Sequence, residues 1–180
     1  HQIMREGLRR ILAGQADIEV AAEAADGDEA LALVRAHDYD VALLDLSMPG
    51  LSGIDLVKRL KIEKPGLRLL VLSMHGEQQY AVRALKAGAS GYLTKDSAAQ
   101  QLVGALRKIA AGGVHVSEAA AAGLLAASGG DAPPHNRLSD REFEVFRLLA
   151  GGASPTEIAG QLQLLGKSQG TMAWLAFDPR

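Results

Sequence analysis

Three short apolar runs each end on a single polar residue. Val41-Ala42-Leu43-Leu44 leads into Asp45, Leu69-Leu70-Val71-Leu72 into Ser73, and Gly91-Tyr92-Leu93-Thr94 into Lys95. The first two contain no polar residue, the pattern of strands covered on both faces, as in parallel sheets. Helical patterns separate them. Gln2–Ala13 carries Met4, Leu8, Ile11 and Leu12 at helical spacing and stops at Gly14. Asp28–His37, Ile54–Lys61, Glu77–Lys86 and Ser97–Ala111 follow, the last opened by Ser97-Ala98-Ala99-Gln100, a capping-box pattern. Ile18–Ala22 is a further strand candidate. Strands alternating with helices predict an α/β, doubly wound domain with a parallel sheet. In such a sheet the strand ends gather at one edge, where ligands bind. A carboxylate, a hydroxyl and an ammonium are thus expected together, a set able to accept and hold a phosphoryl group.

The 180 residues suffice for one domain with a good core, or for one domain plus a small second one. The balance of 48% hydrophobic and 22% charged residues is that of a globular chain. A net charge of −2 creates no strong overall field toward nucleic acid or anionic lipid, although a local basic face stays compatible with it. With no cysteine there is no disulfide framework and no thiolate metal site, which fits a reducing compartment. No run approaches the ~20 apolar residues of a membrane span, and no signal peptide is visible. A cytoplasmic protein with no membrane partner is expected. The first residue is His1, so the natural start is expected upstream.

Residues 117–127 read as an Ala-rich helix, and Ser128-Gly129-Gly130-Asp131-Ala132-Pro133-Pro134 as a linker. Ser139-Asp140-Arg141-Glu142 and Ser154-Pro155-Thr156-Glu157 are two further capping boxes, around the break at Gly151-Gly152. Two short helices around a glycine turn are the opening of a helix-turn-helix. From Leu165 onward the chain shows two glycines, no heptad stripe and no cap, so a helix there would be weak. The domain division is 1–113, a helix and flexible linker over 114–137, and a partial all-α unit with an aberrant tail over 138–180.

Taken singly, each site residue has an ordinary explanation. Asp45 would start the turn toward Pro49-Gly50, Ser73 would cap a helix, and Lys95 would be a solvated charge. Their joint placement after three strands carries the chemistry. A carboxylate can attack a phosphoryl donor in line and form an acyl phosphate, with a divalent cation and a fixed ammonium offsetting the developing charge.

The stretches Asp45-Leu46-Ser47-Met48-Pro49-Gly50, Leu70-Val71-Leu72-Ser73 and Lys86 through Asp96 make residues 1–113 resemble a response-regulator receiver domain. Residues 138–164 resemble the first half of a NarL/LuxR (FixJ) type DNA-binding domain. The resemblance implies a flavodoxin-like sheet. It makes Asp45 the phosphoacceptor, and places Ser73 and Lys95 on the phosphoryl group. The Ser47 backbone carbonyl and Asp45 would be ligands of Mg²⁺, and Tyr92 the switch aromatic. It also implies a two-component phosphorelay, with a sensor histidine kinase, DNA and a second copy of the chain as partners. DNA-contacting residues are not identified.

The chain departs from that pattern twice. The family's first strand, with the acidic pair that holds Mg²⁺, has no counterpart before His1-Gln2-Ile3-Met4. Glu6 and Glu23 are substitute ligands to consider, Glu6 being expected on a solvated helix face. The missing strand belongs between 18–22 and 41–44. A gap there would leave buried backbone groups unpaired at ~1–3 kcal/mol each, so either marked instability or a plug formed by the first residues is expected. The recognition helix of the second unit is also missing, so specific DNA binding is not expected of these residues. Two other readings follow. One is a phosphorylation-independent receiver-like interaction module. The other is an aspartyl-phosphate phosphatase of the haloacid-dehalogenase type, which needs a second Asp where this chain has Ser47.

Overall fold

The computed structural model describes residues 2–46, 51–74, 78–127, 154 and 172–177. The elements are α1 (Gln2–Ala13), β1 (Ile18–Ala24), α2 (Gly27–Ala36), β2 (Val41–Leu46), α3 (Leu51–Glu63), β3 (Arg68–Ser73), α4 (Gln78–Lys86), β4 (Gly91–Thr94), α5 (Lys95–Ala110), α6 (Glu118–Ala127) and β5 (Met172–Phe177). They form one five-stranded sheet in the order β1-β5-β2-β3-β4. Strands β2, β3 and β4 are mutually parallel. Except for β5, this is the flavodoxin-like doubly wound arrangement.

Strand parity assigns the two faces. On β2, Ala42, Leu44 and Leu46 pack with Val34 of α2, Val57 and Leu60 of α3, and Ala84 of α4. Val41 and Leu43 point the other way, with Leu70 and Leu72 of β3, toward Leu12 of α1 and Leu102, Leu106 and Ile109 of α5. Because every residue of Val41–Leu44 is buried on one side or the other, the strand reads as an unbroken apolar run.

The slot between β1 and β2 is not empty. Residues 172–177, at the end of the stretch read as the second unit, lie in it antiparallel to both neighbours. The register sets Ala42 and Ala22 against Trp174, and Leu44 and Ala24 against Met172. The first residues, expected as the plug, are the helix α1 instead. With β5 in place β2 has a hydrogen-bonded neighbour on each side, which removes the cost of unpaired buried groups.

Several boundaries differ from expectation: helix α3 spans Leu51–Glu63 rather than Ile54–Lys61, and β2 and β3 each run on to include the polar residue that ends their apolar run. Strand β1 runs on to Ala24. Helix α5 opens at Lys95 rather than at Ser97, because β4 feeds directly into it; Ser97 sits inside the first turn, its hydroxyl donating to the Thr94 carbonyl at 3.0 Å. Helix α2 is capped by Asp26, whose carboxylate accepts from the Glu29 N–H at 2.9 Å. The segment after α5 returns along the outer edge of β4. His115 N–H donates to the Ser90 carbonyl at 3.0 Å, and Tyr92 N–H to the His115 carbonyl at 2.9 Å. Helix α6 then packs on α4, with Ala120 buried in the core. The linker at 128–134, both capping boxes and the helix-turn-helix reading lie outside the described residues, apart from Ser154. Among the described residues no helix is long and apolar enough to cross a membrane.

Candidate functional site

Asp45 is the penultimate residue of β2 and shares the parity of Val41 and Leu43, so it leaves the sheet on the α1/α5 face. Lys95 begins α5 immediately after β4. Its ammonium donates to both carboxylate oxygens of Asp45, at 2.8 Å to Oδ2 and 2.7 Å to Oδ1. The burial is unequal: the Lys95 side chain is 1% exposed and that of Asp45 is 20% exposed. A buried ammonium requires a charged partner, and an accessible carboxylate can receive a donor from solvent.

Ser73 closes β3, fully buried, with Leu46 opposite on β2 and Thr94 opposite on β4. It shares the parity of Val71 and, across the β3–β4 register, of Tyr92. Tyr92 is buried and turned inward against Tyr80 of α4, ring centroids 6.4 Å apart and planes tilted by 53°. The four predicted residues thus form two linked pairs. Asp45 and Lys95 lie toward α1 and α5, and Ser73 and Tyr92 toward α4. Ser47 falls outside the described residues.

Beside Asp45, between α1 and the sheet, lies a cavity of about 30 Å³, lined among others by Leu8, Arg9, Glu23, Leu43 and Leu72, room for a water or two. Glu23, weighed from the sequence as a metal ligand, reaches this cavity from β1. Its Oε1 already accepts from Arg9 Nε at 2.9 Å and also pairs with Arg9 Nη2. The hydrogen bond to Glu23, and then its charge, raise the Arg9 pKa above its ordinary value. Glu6 pairs with Arg10 at 3.5 Å on an exposed face of α1, as expected of it.

Mg²⁺ demands near-octahedral oxygen coordination, usually from one or two carboxylates and several waters. Among the described residues no group of three acidic or histidine side chains could hold a metal. The two carboxylates at the cavity, Asp45 and Glu23, are each engaged by a cation. The described donor set therefore does not fit the ion as it stands. Arg9 is the site residue that sequence reasoning did not single out. Its role depends on α1 crossing β1, for which the local sequence carries no signal.

Residues 1–107 match the family described as "Response regulator receiver domain". The chain is similar to the transcriptional regulatory protein DegU of Brevibacillus brevis, 40% identical over 116 residues, covering 64% of this chain and 49% of that protein. It is also similar to the nitrate/nitrite response regulator protein NarL of Escherichia coli K12, 34% identical over 168 residues, covering 91% and 78%. Among solved structures, a LuxR-family two-component response regulator from Aurantimonas superposes with a TM-score of 0.63 at 38% identity, covering 69% of this chain and 89% of that one. The RcsB response regulator of Salmonella typhimurium gives 0.61 at 29%, covering 93% and 83%.

Proposed function

Because this chain belongs to the response-regulator receiver family, we propose that it accepts a phosphoryl group on Asp45 from a sensor histidine kinase and relays the change to a DNA-binding output. The carrying observation is the Asp45–Lys95 pair, with a partly exposed nucleophile held by a buried cation at 2.7 and 2.8 Å. In the reaction a carboxylate oxygen of Asp45 attacks phosphorus in line. The bond from phosphorus to the donor's imidazole nitrogen breaks, and that nitrogen keeps the electron pair and takes up a proton. The Lys95 ammonium stays beside the new acyl phosphate and offsets its charge. Receiver domains generally bind Mg²⁺ in an acidic pocket; in this chain the described carboxylates beside the cavity are already paired with Lys95 and Arg9.

The added group brings roughly −1.5 to −2 charges to one point. Ser73 ends the neighbouring strand on the α4 side of the sheet, so it would shift toward the new group for its hydroxyl to reach it. Ser73 shares its face with Tyr92 and α4, so a shift of Ser73 would repack Tyr92 against Tyr80 and change the α4 surface. This is a bias on a two-state equilibrium, which a partner kinase, a second copy of the chain or DNA would read. On this reading the chain is a regulator rather than an enzyme with turnover.

A second reading, a phosphorylation-independent interaction module, is favoured by one observation: Glu23, the other carboxylate at the cavity, is already matched by Arg9, and among the described residues no group of three acidic or histidine side chains could hold a metal. Incubation with acetyl phosphate, with and without Mg²⁺, followed by intact-mass measurement, separates the two. A gain of one phosphoryl group, absent in Asp45→Asn, supports the switch. No gain under either condition supports the passive module.

A further inference from the structure

We propose that residues 112–127 form a strap that reads the position of Tyr92. The strap is docked while Tyr92 is turned inward, and it comes off, with α6 melting, when Tyr92 turns outward. This coupling is independent of the phosphoryl chemistry; only its last step, below, rests on the function proposed above.

Four observations carry it. First, the main chain of the strap is bonded to Tyr92 itself. Tyr92 N–H donates to the His115 carbonyl at 2.9 Å and His115 N–H to the Ser90 carbonyl at 3.0 Å, so a parallel bridge forms at Gly91. Second, the strap shares the buried cluster of the Tyr92 ring. Ala120 joins Tyr92 with Tyr80, Ala81 and Ala84 of α4, and Val116 packs against the same cluster. Third, α6 meets α4 at contact distance. A Cβ on Gly123 would stand 2.8 Å from Gln78 Nε2 and 2.9 Å from Val82 Cγ2, so the glycine is what allows the approach. Fourth, α6 has only ten residues. Even an Ala-rich helix of that length is marginal alone in water, so its helicity depends on the cluster it docks into.

The two states follow from these contacts. An outward Tyr92 would leave a void in the cluster that Ala120 and Val116 complete, and would pull its N–H away from His115. Both losses fall on the strap, and a short helix without its packing surface unfolds. Ser73 shares the α4 face with Tyr92. On the function proposed above, drawing Ser73 toward a phosphoryl group on Asp45 clears room beside the ring and holds it inward. Phosphorylation therefore tightens the strap.

Hydrogen exchange on the full chain tests the coupling from both ends. Tyr92→Phe keeps the ring and should leave the amides of 121–127 as they are. Tyr92→Ala should speed them on the order of 10²-fold, with those of 68–73 still protected. Unchanged exchange of 121–127 in Tyr92→Ala would overturn the proposal. Gly123→Leu acts from the other end and keeps the test open should Tyr92→Ala fail to fold. It should open 121–127 and also move the fluorine resonance of Tyr92 in a 3-fluorotyrosine-labelled chain, the resonance missing from Tyr92→Phe. Open amides at 121–127 beside an unmoved Tyr92 resonance would reject the coupling. After acetyl phosphate treatment, a chain that has gained one phosphoryl group by intact mass should exchange 121–127 more slowly than before. Equal or faster exchange in that chain would reject the phosphoryl step. Failure to gain the group would reject the proposed function and leave the Tyr92 and Gly123 results to decide on the strap.

Discussion

The unequal burial of Asp45 and Lys95 makes a sharp prediction about which half of the pair the fold can lose. Asp45→Ala leaves an ammonium whose side chain is 1% exposed without the carboxylate it bonds. Breaking a buried pair from that side costs about 3–5 kcal/mol. Lys95→Met keeps a stem of similar length and leaves a carboxylate that is 20% exposed. Water reaches that group, so the loss should be nearer the ~1–3 kcal/mol of an unsatisfied polar group. The double variant Asp45→Ala, Lys95→Met leaves neither charge, so its cost should fall below the sum of the single ones by about 2 kcal/mol. Urea unfolding followed by far-ultraviolet circular dichroism reads all three through their midpoints, provided the slopes agree. If Lys95→Met were the more damaging single change, or if the two effects simply added, the pair would not be the buried contact described.

Three further outcomes follow. Gly91→Ala should destabilise by ~1–3 kcal/mol in the same unfolding assay, because a Cβ there would stand 2.7 Å from Ile109 Cδ1 and 2.9 Å from the His115 carbonyl oxygen. His115 is held below its ordinary value near 6.5 by burial first and by Lys108 second. The unfolded chain therefore binds more protons between that lowered value and about 6.5, and stability should fall as pH drops through this window and be complete above it. His115→Gln should flatten that slope in melts taken from pH 7.5 to 5. Arg107 forms two hydrogen bonds with Asp17, at 2.8 and 2.9 Å, on an exposed surface. Arg107→Ala should move the unfolding midpoint little, and less still in high salt.

The sequence made the central sheet and the site visible for one reason. Val41–Leu44 and Leu69–Leu72 are buried on both faces, so each appears as an unbroken apolar run, and the polar residue that ends it is the one at the sheet edge. Asp45 and Lys95 meet because the parallel winding brings all such ends to one edge. Ser73 and Tyr92 share a face through strand parity alone. By contrast, nothing local announced β5. Met172–Phe177 is a short apolar run before Asp178-Pro179, and its place depends on a slot between two strands far away in sequence. The Ser97 pattern misplaced the start of α5 because capping chemistry is local, whereas β4 and the Lys95–Asp45 bond fix that start from a distance. The engagement of Glu23 by Arg9 likewise arises only when α1 packs across β1.

Reductive trapping tests directly whether Asp45 is the residue that carries the phosphoryl group. After treatment with acetyl phosphate, borohydride converts an aspartyl phosphate to homoserine, which peptide mass mapping locates. Homoserine is expected at position 45 and nowhere else. A phosphorylated chain with homoserine at another aspartate, or with position 45 unchanged, would contradict it.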